Sequence, residues 1–304
     1  MREAMAIGCV HTEWLFRVLR KGAFDGRTSI LDLGPQDIQT GRKFLENSIR
    51  RNLAIDPTSD IAAICDEQNP RKDCQPEYYR LFGPKEYKSA DLTDDRADYR
   101  FDLNSPIEEL PRFDVVTDFG TAEHVYNIAQ VFDTMHKLLV PGGLALHCVP
   151  AFAFPNHGFY TPNPNLFIEF ARANNYELVD FSYVDNMFVR ERTLALAENG
   201  TLSFDRLPIQ LSDLDNTQAF MTKVVLQFYS NIRSAETKSA LKGLAPSLGR
   251  WAPYPSDKHH MCYVFDLMFV AMIKPQGEHR PLNAPIQRME GVNLIPQREE
   301  RLPP

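Results

Sequence analysis

The sequence predicts an α/β protein in which helices cover both faces of a largely parallel sheet, and three stretches carry that prediction. The first is residues 113–150, FDVVTDFGTAEHVYNIAQVFDTMHKLLVPGGLALHCVP. Its FDVVTDFG is a short run of apolar, β-branched and aromatic residues closed by Gly120, the pattern of a strand buried on both faces. A helix follows, with Asn127 as N-cap and Ile128, Val131, Phe132, Met135 and Leu139 on one apolar stripe. Pro141, Gly142 and Gly143 stop it, and GGLALHCVP returns as a parallel strand. The carboxyl ends of the two strands, near Asp118 to His124 and His147 to Pro150, then lie side by side on the edge where open α/β sheets bind ligands. The second stretch is SILDLG, a buried strand whose closing Gly34 lets backbone approach a ligand. The third is CYVFDLMFVAMI, apolar almost throughout and therefore a central strand.

With 304 residues the chain is long enough for a full-sized core and an insertion. A net charge of −7 and a pI near 5.7 supply no overall basic field, so nonspecific nucleic-acid binding is not expected. No apolar run reaches membrane-span length and the N-terminal residues lack a secretory core, so the expected location is the cytoplasm, with no membrane partner. The five cysteines are scattered without a CxxC pair, as in a reduced cytosolic protein.

Taken in order, residues 3–20 form an amphipathic helix carrying Ala6, Val10, Trp14, Phe16 and Leu19, with Arg17, Arg20 and Lys21 at its cation-favouring end. It is expected to cover the sheet or to roof the cleft. SILDLG comes next, then a helix over 38–51. Residues 52–85 are broken by Pro57, Pro70 and Pro76, leaving PEYYRLFG as a short helix closed by Gly83. EYKSADL is the second strand with Asp91 at its tip, and DYRFDLNSPIEEL holds the third with its outgoing loop. Beyond the 113–150 unit come an aromatic, Pro-rich loop, a helix from about Pro164 to Asn174, a sixth strand YELVDFSYV, and a long segment 187–258 with its own helix.

LDLGPQD, DLNSPI, GTAEHVYN and NHGFY, in this order and with FDVV and LLVPGG between them, resemble class I S-adenosylmethionine-dependent methyltransferases, and more narrowly a bacterial branch of that superfamily. The resemblance runs from about Ser29 to Asp185. It implies a Rossmann-like three-layer sandwich with a mostly parallel seven-stranded sheet, the last strand inserted antiparallel beside the sixth. Residues 1–275 are then the methyltransferase domain, 187–258 a lid or substrate insertion before the last strand, and 276–304 an arm or disordered tail. The implied cofactor is S-adenosyl-L-methionine. GPQD departs from the GxGxG pattern, but this cofactor has no phosphate, and Gly34 with Gln36 is expected to pass close to its methionine end. Asp91 is the expected acceptor for the ribose hydroxyls, with Asp56 as a rival at the more usual spacing of about 20 residues from the glycine. By the family pattern Asp102 accepts the adenine amino group and the Leu103 amide meets a ring nitrogen. Asp32, Asp118, Phe119 and Gly120 complete the expected cofactor set.

Methyl transfer from a sulfonium needs alignment, a dry pocket and, for an oxygen or nitrogen acceptor, a base. Phe152, Phe154, Phe159 and Tyr160 are candidates for the dry wall. The candidate catalytic residues are His157, beside Gly158 in the loop, and the pair Glu123 and His124. His147, inside a strand, is expected to be packed and hydrogen-bonded, His136 to lie on the exposed helix face, and His259 and His260 to sit in a solvated turn. The Glu-His pair is similar to metal-assisted 2′-O-methyltransferases, yet those carry a further glutamate where this chain has Gly120, and no metal is assigned. The expected activity is His-assisted O-methylation of a small molecule or sugar-like acceptor, with a homodimer possible through the N-terminal helix and tail. The alternative is a catalytically degenerate methyltransferase fold that serves as a binding or scaffold module.

Overall fold

A computed structural model describes residues 7–54, 74–152, 158–185, 266–277 and 279–285. The sheet is built from β1 (Ser29–Leu33), β2 (Glu86–Asp91), β3 (Tyr99–Arg100), β4 (Phe113–Phe119), β5 (Leu139–Phe152), β6 (Glu177–Asp185) and β7 (Asp266–Ile273). Their order is β3-β2-β1-β4-β5-β7-β6. Strands β1 to β5 pair in parallel, while β7 runs antiparallel between β5 and β6. This is the seven-stranded arrangement that the class I methyltransferase resemblance implies, and the antiparallel strand falls where expected.

Alternation of side chains along each strand sends neighbours to opposite faces, so a strand that is apolar throughout feeds two cores. One core joins Ile30, Val115, Leu146 and Phe269 to α1 (Cys9–Arg20), α2 (Arg42–Leu53) and α3 (Gln75–Arg80). The other joins Leu31, Val116, Ala145, Met268 and Val270 to α4 (Ile128–Leu138) and α5 (Pro164–Asn174). The result is a three-layer sandwich. On α4 the expected stripe of Val131, Phe132 and Met135 is buried against the sheet.

The first helix starts later than its amphipathic pattern suggests. Ile7 pairs with Ile38 as an extended bridge, through Ile7 N–H to the Asp37 carbonyl at 2.9 Å and Gln39 N–H to the Ile7 carbonyl at 2.9 Å. That bridge keeps both ends out of helical geometry, which also delays α2 from the expected residue 38 to Arg42. Of its two expected places, α1 takes the sheet, with the Trp14 ring 5.1 Å from Phe269.

His136 requires a correction. It is buried, not exposed: its ring nitrogens lie 2.8 Å from Tyr176 Oη and 2.7 Å from the Arg280 carbonyl. The cause is the segment after β7, which packs back against α4 and α5 and exchanges hydrogen bonds between Asn283 and Asn174. The first part of the expected tail is thus docked, and residues 286–304 lie outside the described residues. So do residues 187–258, Asp56, His259 and His260. Among the described residues no helix is long and apolar enough to cross a membrane.

Candidate functional site at the carboxyl edge of the sheet

Gly34 leaves β1 with φ at +83°, and its N–H is held by the Ala90 carbonyl of β2 at 2.8 Å. A Cβ at this position would stand 2.7 Å from Thr121 Oγ1 and 3.9 Å from Asp91 Oδ2. Three strand ends therefore converge within one side-chain length of residue 34. Thr121 Oγ1 donates to the Leu33 carbonyl at 2.6 Å, tying the turn after β4 to the end of β1. Further glycines are replaced by side-chain fastenings: Gln36 Nε2 donates to the Gly34 carbonyl at 3.0 Å, and Arg96 donates to Asp37 at 2.7 Å and to the Pro35 carbonyl at 3.1 Å. Gln36 Oε1 is buried without a hydrogen-bond partner among the described residues.

The predicted carboxylates separate into two kinds. Asp91 engages one oxygen, Oδ1, with the backbone N–H groups of Thr93 at 2.6 Å and Asp94 at 2.8 Å, which leaves Oδ2 directed toward Gly34. Asp102 is exposed, and its Oδ1 accepts from both Asn104 nitrogens at 2.8 Å, which holds its carboxyl below the ordinary range. Leu103 is buried beside it. The Asn104 side chain then accepts from Asn127 N–H at 3.0 Å, fixing this loop to the start of α4.

Asp32 and Asp118, by contrast, are interior. Asp32 accepts from Thr117 Oγ1, from Tyr87 Oη at 3.3 Å and from Gln36 N–H at 3.4 Å, so it underpins the loop with both oxygens engaged. Burial pushes its carboxyl up to about 7 against the lowering effect of those bonds. Asp118 accepts from the N–H groups of Ala122 at 2.9 Å and Thr121 at 3.3 Å, and its other oxygen lies 2.9 Å from His147 Nδ1. Neither side chain has the open oxygen expected of a cofactor ligand. The Phe119 side chain is likewise in the core, 5.9 Å from His11 and 6.2 Å from Trp14, so only backbone at 119 reaches the edge. Gly120, at φ +79°, donates its N–H to the Cys148 carbonyl at 2.9 Å.

The acceptor side is a meeting of two loops. The Glu123 carbonyl receives the Phe159 N–H at 2.7 Å and the Tyr160 N–H at 3.2 Å, which brings residues 158–160 against the turn at 121–124. Gly158 makes this possible, since its φ is +68° and a Cβ there would stand 2.6 Å from the Glu123 carbonyl oxygen. The Glu123 side chain is fully buried, and His124 Nε2, on a side chain 47% exposed, lies 3.9 Å from Glu123 Oε1. Tyr160 Oη donates to the Tyr126 carbonyl at 2.6 Å, and the Tyr126 and Phe159 rings meet edge to face at 6.1 Å while 73% and 67% exposed. His147 is packed and hydrogen-bonded, as its strand position predicts. His157, Phe154 and the Phe152 side chain lie outside the described residues. Among the described residues no group of three or more His, Cys, Asp or Glu side chains is arranged to hold a metal ion.

Sequence reasoning missed Thr121, Tyr126 and Arg96, and valued Gly158 only as a neighbour of His157. Thr121 had a visible signal, a hydroxyl directly after the glycine that ends a buried strand. Arg96 had none, because the partners it fastens on the loop after β1, Asp37 and the Pro35 carbonyl, are about 60 positions away.

No family model matches the chain, and no curated protein does. Among solved structures it is similar to the [4+2]-cyclase SpnF, with 12% identity, a TM-score of 0.40, and 88% of this chain covered against 82% of that one. It is also similar to a putative sarcosine dimethylglycine methyltransferase from Galdieria sulphuraria, at 13% identity and a TM-score of 0.39, covering 87% and 85% of the two chains. A third likeness is to a SAM-dependent methyltransferase from Geobacter sulfurreducens in complex with S-adenosyl-L-homocysteine, at 14% identity and a TM-score of 0.36, covering 86% and 90%. These overlays are loose. The strand order and the antiparallel β7 are those that the methyltransferase resemblance of the sequence implies.

Proposed function

We propose that the protein is an S-adenosylmethionine-dependent methyltransferase that methylates a hydroxyl of a small molecule or sugar-like acceptor. The observation that carries this reading is the convergence at Gly34: a glycine at which any larger residue would be strained, with Asp91 Oδ2 and Thr121 Oγ1 turned toward the same point. The donor set fits the cofactor. Asp91 offers a carboxylate oxygen for ribose hydroxyls, Gln36 a buried acceptor near the loop for an ammonium group, and Asp102 with the Leu103 amide a polar edge for adenine.

When bound, the cofactor supplies a methyl group on a sulfonium whose charge disappears on transfer, so the protein must mainly align, dehydrate and accept a proton. The 121–124 turn and the 158–160 loop form the wall on the acceptor side. His124, half exposed and beside buried Glu123, is the described side chain suited to take the acceptor's proton, and His157 is the second candidate.

Isothermal titration with S-adenosylhomocysteine tests the reading, with heat and a thermal shift as the expected result. Absence of both at millimolar ligand overturns it. Transfer of label from methyl-labelled cofactor to hydroxylated small molecules and glycosides tests the acceptor class. Binding without transfer across that panel would make the protein a binding module instead.

A further inference from the structure

We propose that Asp118 and His147 form a positioning pair that sets the spacing between the cofactor side and the acceptor side of the cleft. Asp118 stands at the end of β4 and His147 directly opposite it on β5. Both are buried, and the His147 ring is clamped between Phe132 at 5.4 Å and Phe167 at 5.0 Å. A carboxylate only accepts, so Nδ1 of His147 carries the proton of their 2.9 Å bond. With Oδ2 fixed in this way, Oδ1 is aimed at the N–H groups of Thr121 and Ala122 and holds the first turn beyond the strand.

That turn makes two contacts that shape the site. Thr121 closes over Gly34 through the Leu33 carbonyl, and Glu123 presents the carbonyl on which Phe159 and Tyr160 hang. One buried carboxylate thus governs two loops that are more than thirty positions apart. The pair acts through the turn and touches neither ligand, which makes it a positioning device. It rests on the methyltransferase reading only for its ligand-binding arm.

The test compares Asp118→Ala and His147→Leu, which break the bond, with Asp118→Asn and His147→Asn. The asparagine at 118 keeps an acceptor oxygen for the two amides. The asparagine at 147 places an amide N–H where His147 Nδ1–H stands. Thermal melts first establish that each variant is folded. Amide hydrogen exchange at Phe159 and Tyr160, and affinity for S-adenosylhomocysteine, are then measured.

The breaking variants are expected to exchange about tenfold faster at Phe159 and Tyr160 and to bind about tenfold more weakly, with recovery in both asparagine variants. Faster exchange confined to Thr121 and Ala122, with residues 159–160 and the affinity unchanged, would reduce Asp118 to a local turn cap and overturn the proposal. Failure of the unmodified protein to bind S-adenosylhomocysteine would count against the proposed function alone, because the exchange at 159–160 still reads the coupling. If the breaking variants do not fold, exchange in the unmodified protein decides: Thr121, Ala122, Phe159 and Tyr160 are expected to open together at one free energy, and opening of residues 159–160 independently of residues 121–122 overturns the proposal.

Discussion

A methyl group added at residue 34 would meet the Thr121 hydroxyl at 2.7 Å on a backbone with φ at +83°. Gly34→Ala is therefore predicted to cost about 1–3 kcal/mol of stability and to weaken S-adenosylhomocysteine binding, readable by urea unfolding and calorimetry. Asp91→Asn is a finer probe. It keeps the oxygen that holds the Thr93 and Asp94 amides and changes only the one facing Gly34. Affinity should fall about tenfold while the melting temperature stays the same. An equal fall in stability would mean that Asp91 is mainly a turn former. At this scale the sequence singled out Asp91 by its place at a strand tip, while the resemblance also named Asp32 and Asp118, which the fold makes interior. Their partners Thr117 and His147 sit on adjacent strands, and no local pattern reveals them.

At the scale of elements, α1 is fastened to the far edge of the sheet by one carboxylate. Asp180 on β6 receives Trp14 Nε1 at 2.9 Å, Arg17 Nε at 2.8 Å, Lys21 Nζ at 2.6 Å and Ser182 Oγ at 2.6 Å. Burial would push this carboxyl up, but the bonds from Lys21 and Ser182 and the charges of Arg17 and Lys21 outweigh it and hold the group below its ordinary value. A depressed folded value contributes stability at neutral pH that is lost as pH falls through it. Asp180→Ala should cost about 2–4 kcal/mol at pH 7 by urea unfolding, and less at strongly acid pH, because it strands several donors at once. The amphipathic pattern of α1 made its burial legible. Its late start at Cys9 was not, because the Ile7 to Ile38 bridge joins segments about thirty positions apart.

Across the whole molecule, pH acts through groups that the fold keeps uncharged. Burial lowers His11 to about 4, and burial with the nearby Lys274 charge lowers His136 to about 4. The unfolded chain binds these protons near pH 6.5 and the folded chain does not, so stability should fall as pH drops from there toward 4. Asp32 works in the opposite direction: its carboxyl is raised to about 7, so its contribution is complete below the ordinary carboxylate range and is lost progressively as pH rises from there to about 7. Over the acid range the two histidines together outweigh it, and stability rises toward pH 6.5. Urea midpoints should decline by the equivalent of about 1–3 kcal/mol between pH 6.5 and pH 5. Replacing His11 and His136 together by asparagine should flatten that acid limb, and an unchanged slope would locate the titration elsewhere.

The order of strands and helices and the two-sided burial of the sheet were determined by the sequence, because hydrophobic period and glycine punctuation are local properties that survive without knowledge of partners. The tertiary structure alone decided which carboxylates remain open to a ligand, that His136 is covered, and that residues 121–124 and 158–160 share one wall. Those outcomes depend on register between strands and on contacts across dozens of residues. A buried polar group takes whichever partner that register brings within hydrogen-bonding distance.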